Sequence, residues 1–327
     1  MKPGGRTSPM PRTADMSVAG KLRGEGHEHL ARIVDQVTDV WPQHADFLAL
    51  RFEGESAGQL RFAEEAAGQV WRLIEHEAEE AVTSYRRLCY ELLREEHYFR
   101  RHGRYRYATV REVQDSGIFQ EPRVTHYQRG LLLTQVLWQN HTRVAETFVR
   151  EFLEQRGSRE RLLEVGPGHG MFLAMAGARL SGEVAGWDIS DAMLRYTRQN
   201  LAALGVRDAT LARHDIREGP LDGTFDLVVA SELLEHVEDP GAVLRSLRGL
   251  LSEDGRIFLN VPVNSPAPDH IYLWHSPEEF FAFVTENGVT PLSTHTYPLT
   301  GSTEERAREG GFTISCVVVG RSAADAG

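Results

Sequence analysis

Apolar and polar positions follow different periods in the two halves of this 327-residue chain. From about residue 21 to residue 157 the apolar residues recur at helical spacing, clearly over 81–99 and 131–153 and more weakly over 57–76. The stretch Tyr105–Val113 alternates instead and predicts a short strand. After residue 158 short apolar runs alternate with helical stripes, which is typical of a doubly wound parallel sheet.

Seven short apolar runs predict the strands of that sheet. Ser190 is predicted to cap a helix that runs to about Leu204, and Asp239-Pro240 and Ser276-Pro277 begin two further helices. The predicted fold class is α/β, a doubly wound, mostly parallel, Rossmann-like seven-stranded sheet with an N-terminal helical domain and a hairpin-like final strand pair. The predicted strands are Leu162–Val165, Val184–Trp187, Ala209–Arg213, Phe225–Ala230, Ile257–Val261, Pro291–Thr296 and Phe312–Val319.

These patterns divide the chain into three segments. Residues 1–20 are expected to be a disordered leader, because they lack the apolar segment of a secretory signal. Residues 21–157 form the helical domain, which serves either as a lid and substrate domain or as a dimerisation domain, and 158–327 form the α/β domain. No apolar run approaches the ~20 residues that a membrane span needs, so no membrane partner is expected.

The charge of the chain limits the kinds of partner that it is expected to bind. The formal net charge is −11 and no long basic run occurs, which argues against tight non-specific binding of nucleic acid. The two cysteines, far apart and without metal-ligand spacing, indicate a reducing cytoplasm. One basic stretch interleaved with aromatic residues could stack on RNA bases, but a helix end with a short strand, or an anion-binding lid, is favoured. Its arginines are Arg100, Arg101, Arg104 and Arg106.

A glycine-rich turn follows the first predicted strand. Glu164 ends that strand region, and Gly166, Gly168 and Gly170 follow at a spacing of two before an apolar helix pattern. A strand, a glycine-rich turn and a helix let a nucleotide-like cofactor lie against bare backbone. The dinucleotide fingerprint requires a glycine where this chain has Met171, so a nicotinamide oxidoreductase is disfavoured.

A second acidic position follows at the end of strand two. Asp188 lies 18 residues after Gly170, where a carboxylate can accept hydrogen bonds from both hydroxyls of a ribose. Its segment Gly-Trp-Asp-Ile-Ser-Asp-Ala-Met-Leu and the E-x-G-x-G-x-G turn resemble motifs II and I of class I S-adenosylmethionine (SAM)-dependent methyltransferases. The block Phe225–Pro240 is similar to motif IV of the small-molecule and quinone members.

The resemblance covers roughly residues 158–320 and implies SAM as the cofactor. It also places Asp215 beside the adenine amino group. The chain lacks the Asp/Asn-Pro-Pro-Tyr element of base-amino methyltransferases, which argues against DNA adenine as the acceptor. The cofactor-binding residues that the resemblance implies are Glu164, Gly166, Gly168, Gly170, Asp188, Ile189, Asp215, Ile216 and Ser231.

Three histidines follow strands four and five, where acceptors should meet the methyl group. His236 follows strand four, and His270 and His275 follow strand five, with Glu232 and Asp269 near the same rim. In one interpretation His236 packs under the cofactor, and His270 and His275 shape a loop. In the other, His236, His270 and His275 are catalytic bases or ligands of a divalent metal.

The loop that begins at Asn260 favours the second interpretation. The segment Pro-Val-Asn-Ser-Pro-Ala-Pro-Asp-His-Ile-Tyr-Leu is similar to small-molecule C-methyltransferases that act on 2-oxo acids, such as ketoarginine methyltransferase. This likeness implies carbon methylation through an enolate, which needs a base and a Lewis acid or hydrogen-bond donor. N- and O-methylation of another small molecule remain open, as do a protein or RNA acceptor and a non-catalytic SAM-binding role.

The N-terminal domain should cover the pocket. Tyr127 and Arg129 precede a long helix that leads into strand one, so they are expected near the cofactor, and Asn264 near the acceptor. Arg129 or Arg106 could hold a substrate carboxylate in a bidentate pair, although a solvated helix-end arginine is the favoured explanation for each. A homodimer formed through the apolar helical domain is the alternative use of this segment.

Overall fold

The computed structural model describes residues 17–219, 221 and 223–323. Most of the expected leader therefore lies outside the described residues. The first helix already begins at Val18, because the Ser17 side chain caps it by accepting a hydrogen bond from the backbone N–H of Gly20 (3.1 Å). The end of the leader is thus helical rather than disordered.

Within the described part of the chain, eight α-helices precede the sheet. The 131–153 stripe is not one helix, because Trp138 adopts an extended backbone between two helices and the second continues as a π-helical turn at Phe148–Leu153. The helices are Val18–Gly24 (α1), Glu28–Val40 (α2), Ala45–Phe52 (α3), Ala57–Ile74 (α4), Ala78–His102 (α5), Val110–Asp115 (α6), Arg123–Leu137 (α7) and Gln139–Thr147 (α8).

The strand predicted at Tyr105–Val113 is wrong. Thr109 and Glu112 form a capping box that begins α6 at Val110 instead. The alternation arises because Tyr105 turns inward and its hydroxyl accepts a hydrogen bond from the backbone N–H of Ser265 (3.0 Å), without any strand partner.

The seven-stranded sheet is confirmed. Its order is β3-β2-β1-β4-β5-β7-β6, with β7 antiparallel to both of its neighbours and the remaining pairs parallel. Strands β2 and β3 lie on one side of β1, and β4 and the later strands lie on the other. The strand order therefore reverses between β1 and β4. The strands are Leu162–Val165 (β1), Val184–Asp188 (β2), Thr210–Arg213 (β3), Phe225–Ser231 (β4), Leu251–Val263 (β5), Val289–Pro298 (β6) and Ile314–Ser322 (β7).

Strand β5 begins earlier than predicted. The sequence predicts this strand from Ile257, but the strand already begins at Leu251, which pairs with Phe225, and it includes the turn-forming residues Asp254 and Gly255. The register then shifts before Leu227 pairs with Arg256. The turn residues therefore lie in an irregularity within the strand, which local turn signals do not distinguish from a connection.

Five helices accompany the sheet, and the predicted N-caps are confirmed. The side chains of Ser190, Asp239 and Ser276 each accept a hydrogen bond from a backbone N–H in the first turn of the following helix. These helices are Met171–Gly177 (α9), Asp191–Ala203 (α10), Pro240–Gly249 (α11), Pro277–Glu286 (α12) and Glu304–Gly310 (α13).

The N-terminal helices share a hydrophobic core with one face of the sheet. The rings of Phe148 and Phe172 stack with centroids 4.5 Å apart, and Phe258 of β5 meets Phe148 edge to face at 5.3 Å. The helical segment is thus packed directly against β5 and α9. Among the described residues, no helix combines the length and the apolar character needed to cross a membrane.

Candidate active site

A cavity of about 800 Å³ lies between the N-terminal helices and the carboxyl ends of the parallel strands. The last residue of each of four neighbouring strands lines it: Val165, Asp188, Arg213 and Ser231. This is the location at which open α/β sheets bind ligands. Helices α6, α7 and α8 supply the opposite wall.

The glycine-rich turn forms one side of the cavity. Gly168 has a φ of +50°, and a Cβ added there would lie 3.3 Å from Gln128 Oε1. Gly166 and Gly168 line the cavity, whereas Gly170 does not and instead precedes α9 as its N-cap. The Thr197 hydroxyl donates to the carbonyl of Gly168 (2.7 Å) and holds the turn in place.

Asp188, the predicted ribose-binding residue, lies at the wall of the cavity. Burial raises the pKa of its carboxyl to about 6. Its Oδ1 atom accepts a hydrogen bond from the backbone N–H of Ser190 (2.8 Å), and no side chain of the described residues donates to the carboxylate. Asp215 also lines the cavity, and its ion pair with Arg217 (2.7 Å) keeps the pKa of Asp215 low. Ile189 and Ile216 line the same end.

Glu164 is buried beneath the glycine-rich turn. Its Oε2 atom has no hydrogen-bond partner, and burial raises its pKa well above the usual range. Ser231 lines the cavity, and its hydroxyl accepts a hydrogen bond from Asn260 Nδ2 (3.1 Å). Both residues are therefore placed where a ligand in the cavity can reach them.

Two of the three predicted histidines converge with a glutamate that the sequence analysis did not single out. The Nε2 atoms of His236 and His270 lie 3.9 and 4.0 Å from Glu235 Oε1. The His236 Nδ1 atom donates to the carbonyl of Asp269 (2.9 Å), and His270 Nδ1 donates to the carbonyl of Ser265 (2.6 Å). Because each Nδ1 must carry the proton, each Nε2 is free to bind a metal.

Glu235 is the unusual member of this cluster. It is completely buried, and neither carboxylate oxygen has a hydrogen-bond partner among the residues that the structure describes. Burial and the neighbouring carboxyl of Glu232 raise the pKa of Glu235 well above its ordinary value. A buried carboxylate without partners is unfavourable unless a cation or a proton satisfies it. Glu235, His236 and His270 have the donor types and the spacing for a divalent metal.

Residues from both halves of the chain position the cluster of Glu235, His236 and His270. The Tyr127 hydroxyl donates to Asp269 Oδ1 (2.9 Å), so the predicted substrate residue Tyr127 links α7 to the loop of His270. Glu232 lines the cavity with a φ of +53°, and Asn260 Nδ2 donates to one of its oxygens (2.8 Å). Burial raises the pKa of Glu232 to about 7.

His275 does not join the other two histidines, so its predicted site is wrong. Its neighbour Trp274 is buried in the core, which directs His275 to the surface. The backbone N–H of His275 donates to Glu279 Oε2 (2.7 Å) at the start of α12. Asn264 is also outside the cavity, because its side-chain amide donates to the carbonyl of His275 (2.8 Å) and closes the loop.

Arg129 and Arg106, the two candidates for binding a substrate carboxylate, form ion pairs with glutamates instead. Arg129 pairs with Glu77 and Glu80 near the beginning of α5 and does not line the cavity. Arg106 pairs with Glu95 (2.8 Å), and its guanidinium lies 4.3 Å from the centroid of the Tyr98 ring. Neither arginine is placed to meet an acceptor in the cavity.

Several cavity residues were not predicted as site residues. Glu235 immediately precedes His236, so its adjacency to a candidate ligand was an available signal. His169 lies inside the glycine-rich turn and was equally visible. Gln135 and His141 had no sequence signal, because only the packing of α7 and α8 over the sheet brings them to the cavity.

Part of the chain is similar to a known protein family. Residues 137–290 match the family described as "Methyltransferase domain". The matched segment contains the glycine-rich turn, Asp188 and the histidine cluster.

Curated relatives of the chain are named as methyltransferases. The chain is 33% identical over 121 residues to the ubiquinone biosynthesis O-methyltransferase of Xanthomonas axonopodis pv. citri, covering 37% of this chain and 49% of the relative. It is 29% identical over 139 residues to the enzyme of the same name from Neisseria meningitidis serogroup C, covering 42% and 55%. The chain thus spans about half the length of these relatives.

Among solved structures, the YcgJ protein of Bacillus subtilis aligns with 56% of this chain and 100% of its own length. The sequence identity is 15% and the TM-score is 0.46.

Proposed function

We propose that this protein transfers the methyl group of SAM to a small-molecule acceptor bound in the cavity. The observation that carries the proposal is the combination of the glycine-rich turn and the half-satisfied Asp188 carboxylate at the strand ends of a methyltransferase domain. The free oxygen of Asp188 suits the ribose hydroxyls, and the region of Asp215 and Ile216 suits the adenine. The N-terminal helices cover the opposite side, which favours an enclosed small acceptor over a polypeptide or RNA.

Glu235, His236 and His270 are the residues that would hold a divalent metal. The two free Nε2 atoms and the unpartnered carboxylate of Glu235 fit such an ion, because all three require a positive charge or a proton donor. When bound, the metal would act as a Lewis acid toward an acceptor oxygen. The role expected for His275 falls to Glu235 in this arrangement.

The favoured acceptor class is a 2-oxo acid methylated at the carbon beside its ketone, as in an arginine-derived oxo acid. Among the cavity-lining residues of the described chain, the only arginines are Arg213 and Arg217, both on the side of Asp215, and no lysine lines it. An anionic acceptor beside His236 therefore finds no arginine or lysine there. A metal held by Glu235, His236 and His270 would supply the missing positive charge.

Glu232 is placed to act as the base. It lines the cavity near His236, and the hydrogen bond from Asn260 fixes one oxygen and leaves the other for a proton. The base removes a proton from the carbon beside the ketone. That carbon attacks the sulfonium methyl group in line, the carbon–sulfur bond breaks, and S-adenosylhomocysteine (SAH) leaves.

O-methylation of a phenolic hydroxyl is the second candidate. It is supported by the relatives, which are named as ubiquinone biosynthesis O-methyltransferases. The same base would then remove the hydroxyl proton, and the oxygen would attack the methyl group.

An acceptor panel distinguishes these candidates. The protein is incubated with SAM and either 2-oxo acids, their parent amino acids or catechols, with and without a chelator, and products are analysed by mass spectrometry. A methyl gain on the carbon of an oxo acid that is lost with chelator supports the first candidate. A gain on a catechol alone favours the second, and no methylated product from any acceptor contradicts both.

A further inference from the structure

One wall of the cavity is apolar, and the chemistry described so far does not use it. Val113 of α6, Phe119 of the turn that follows α6, and Leu131 of α7 line the cavity there. They belong to one hydrophobic cluster, in which Phe119 and Leu131 pack against buried side chains that include Val113 and Tyr127. Together with Tyr127, which also lines the cavity, these three residues form the α6–α7 wall.

Two contacts place the α6–α7 wall beside the candidate metal ligands. The Tyr127 hydroxyl donates to Asp269 Oδ1 (2.9 Å), and the carbonyl of Asp269 accepts from His236 Nδ1 (2.9 Å). Ile271, which directly follows His270, packs against the same hydrophobic cluster. A molecule whose reacting carbon lies beside His236 therefore has this wall as its neighbour.

The wall is also anchored at the beginning of α6. The backbone N–H of Val110 donates to Glu238 Oε1 (2.8 Å) in the α/β half. Thr109 and Glu112 close the first turn of the helix with a capping box. Contacts within the chain thus hold the apolar surface in position, which a specificity pocket requires.

The N-terminal helices present no charged side chain to the cavity. Among the described residues, those of the helical half that line it include no aspartate, glutamate, lysine or arginine, and burial lowers the pKa of His141 to about 3, so its ring is neutral. A guanidinium or a second carboxylate on this wall would be buried without an opposite charge, which is unfavourable. A hydrocarbon group there removes apolar surface from water instead.

The carboxylates across the cavity do not suit a guanidinium either. Asp269 already accepts the Tyr127 hydroxyl. Asn260 fixes one oxygen of Glu232, and the other oxygen receives the proton in the proposed function. An ion pair between Glu232 and a guanidinium would occupy the oxygen that the proton needs.

We infer that the α6–α7 wall binds the side chain of the acceptor and selects an aliphatic or aromatic one. The inference rests on the proposed function and narrows it, because it favours a 2-oxo acid with a hydrocarbon side chain over the arginine-derived oxo acid. Phe119 is the specificity-determining residue. Its ring lines the cavity and is only partly buried by the protein, so part of the ring surface is available to a ligand.

Initial rates of methyl transfer from SAM to a set of 2-oxo acids test this assignment. The acceptors share the ketone, the carboxylate and the reacting carbon, and they differ only in the rest of the chain. With the unaltered protein, we expect kcat/KM for 4-methyl-2-oxopentanoate to exceed the values for 5-guanidino-2-oxopentanoate and 2-oxoglutarate by at least about tenfold.

A variant of the wall tests the residue itself. Phe119→Ala should lower kcat/KM for 4-methyl-2-oxopentanoate about tenfold. The value for 2-oxobutanoate, whose chain ends one carbon beyond the reacting position, should change less than about twofold. Phe281→Ala is the matched control, because Phe281 of α12 is also partly buried but does not line the cavity. It should leave both values unchanged.

The outcomes separate this inference from the function on which it rests. If the unaltered protein methylates none of the 2-oxo acids, the proposed carbon methylation is wrong. If it methylates them but prefers the guanidino or the dicarboxylate acceptor, that function stands and the inference is wrong. Equal losses for both acceptors in Phe119→Ala would also contradict the inference. Turnover of 2-oxobutanoate reports folding of each variant, and if Phe119→Ala does not fold, the same selective loss is expected in Leu131→Ala.

Discussion

Asp188 is the residue on which cofactor binding depends most directly. Its carboxylate has one oxygen on the backbone of Ser190 and one free toward the cavity. We expect Asp188→Ala to raise the Kd of SAH at least tenfold, about 1.4 kcal/mol, through loss of the ribose hydrogen bonds. Calorimetry measures this, and an unchanged Kd would contradict the assignment of the adenosine end.

The Asp188 carboxyl should make ligand binding depend on pH. Burial disfavours its charged form and raises its pKa to about 6 in the free protein, whereas ribose hydroxyls that donate to it favour the charged form. Binding therefore releases a proton below about pH 6, and the affinity for the nucleoside 5′-methylthioadenosine should rise as the pH increases towards 6 and level off above it. Asp188→Asn should bind more weakly and lose this rise. A variant that keeps it would assign the titration to another group.

Replacing Glu235 should affect the thermal stability differently in the absence and in the presence of a metal. Glu235→Gln removes a buried carboxylate that has no partner, so without metal its Tm should equal or exceed that of the unaltered protein. The rise in Tm on adding Zn²⁺ should disappear, because one ligand is lost. Thermal unfolding with and without Zn²⁺ measures both. His275→Gln, at the exposed loop, should retain the metal-dependent rise, and an equal rise in Glu235→Gln would contradict the site.

At the scale of elements, helices α5 and α7 approach closely at Gly130. A Cβ there would lie 2.9 Å from Leu88 Cβ and 3.1 Å from the backbone oxygen of Ser84. We expect Gly130→Ala to lower the free energy of unfolding by about 1–3 kcal/mol, because the overpacking outweighs the helix propensity of alanine. Denaturant unfolding measures it.

Gly68 in α4 is the matched control. A Cβ there would meet only the His29 ring, at an ordinary contact distance of 3.5 Å. Gly68→Ala should therefore be neutral or stabilise the fold by up to about 1 kcal/mol. Equal destabilisation in both variants would mean that the approach of α5 and α7 is not the cause.

The elements that the sequence predicted well are those with strong local signals. The caps Ser190, Asp239 and Ser276 determine where helices begin, and buried apolar runs determine the parallel strands β1, β2 and β4. The errors lie where tertiary contacts override local pattern. Tyr105 alternates because it packs on the loop of Ser265, and Leu251 extends β5 because it pairs with Phe225 across an irregularity.

In the candidate site, too, the residues with a local sequence signal were predicted correctly, and those positioned by tertiary packing were not. Glu164, Asp188 and Asp215 follow strands directly, so parallel topology alone brings them to one edge of the sheet. His275 and Asn264 come from a loop whose path depends on the burial of Trp274, and no periodicity encodes that path. The residues that α7 and α8 contribute are likewise determined by packing.

At the scale of the whole molecule, the N-terminal helices and the α/β half form one cavity. They share the core around Phe148 and Phe258, and the hydrogen bond from Tyr127 to Asp269 connects α7 to the loop of His270. In the proposed function the cofactor and the acceptor bind between these halves, and the acceptor lies beside Glu235, His236 and His270.

The most direct test is the transfer of a trideuterated methyl group from SAM to a 2-oxo acid, followed by mass spectrometry. The unaltered protein and His275→Ala should label the carbon beside the ketone, and His270→Ala should not, while its Kd for SAH stays unchanged. Label transfer by His270→Ala at the rate of the unaltered protein would contradict the account. So would the absence of label on every acceptor from a protein that binds SAH.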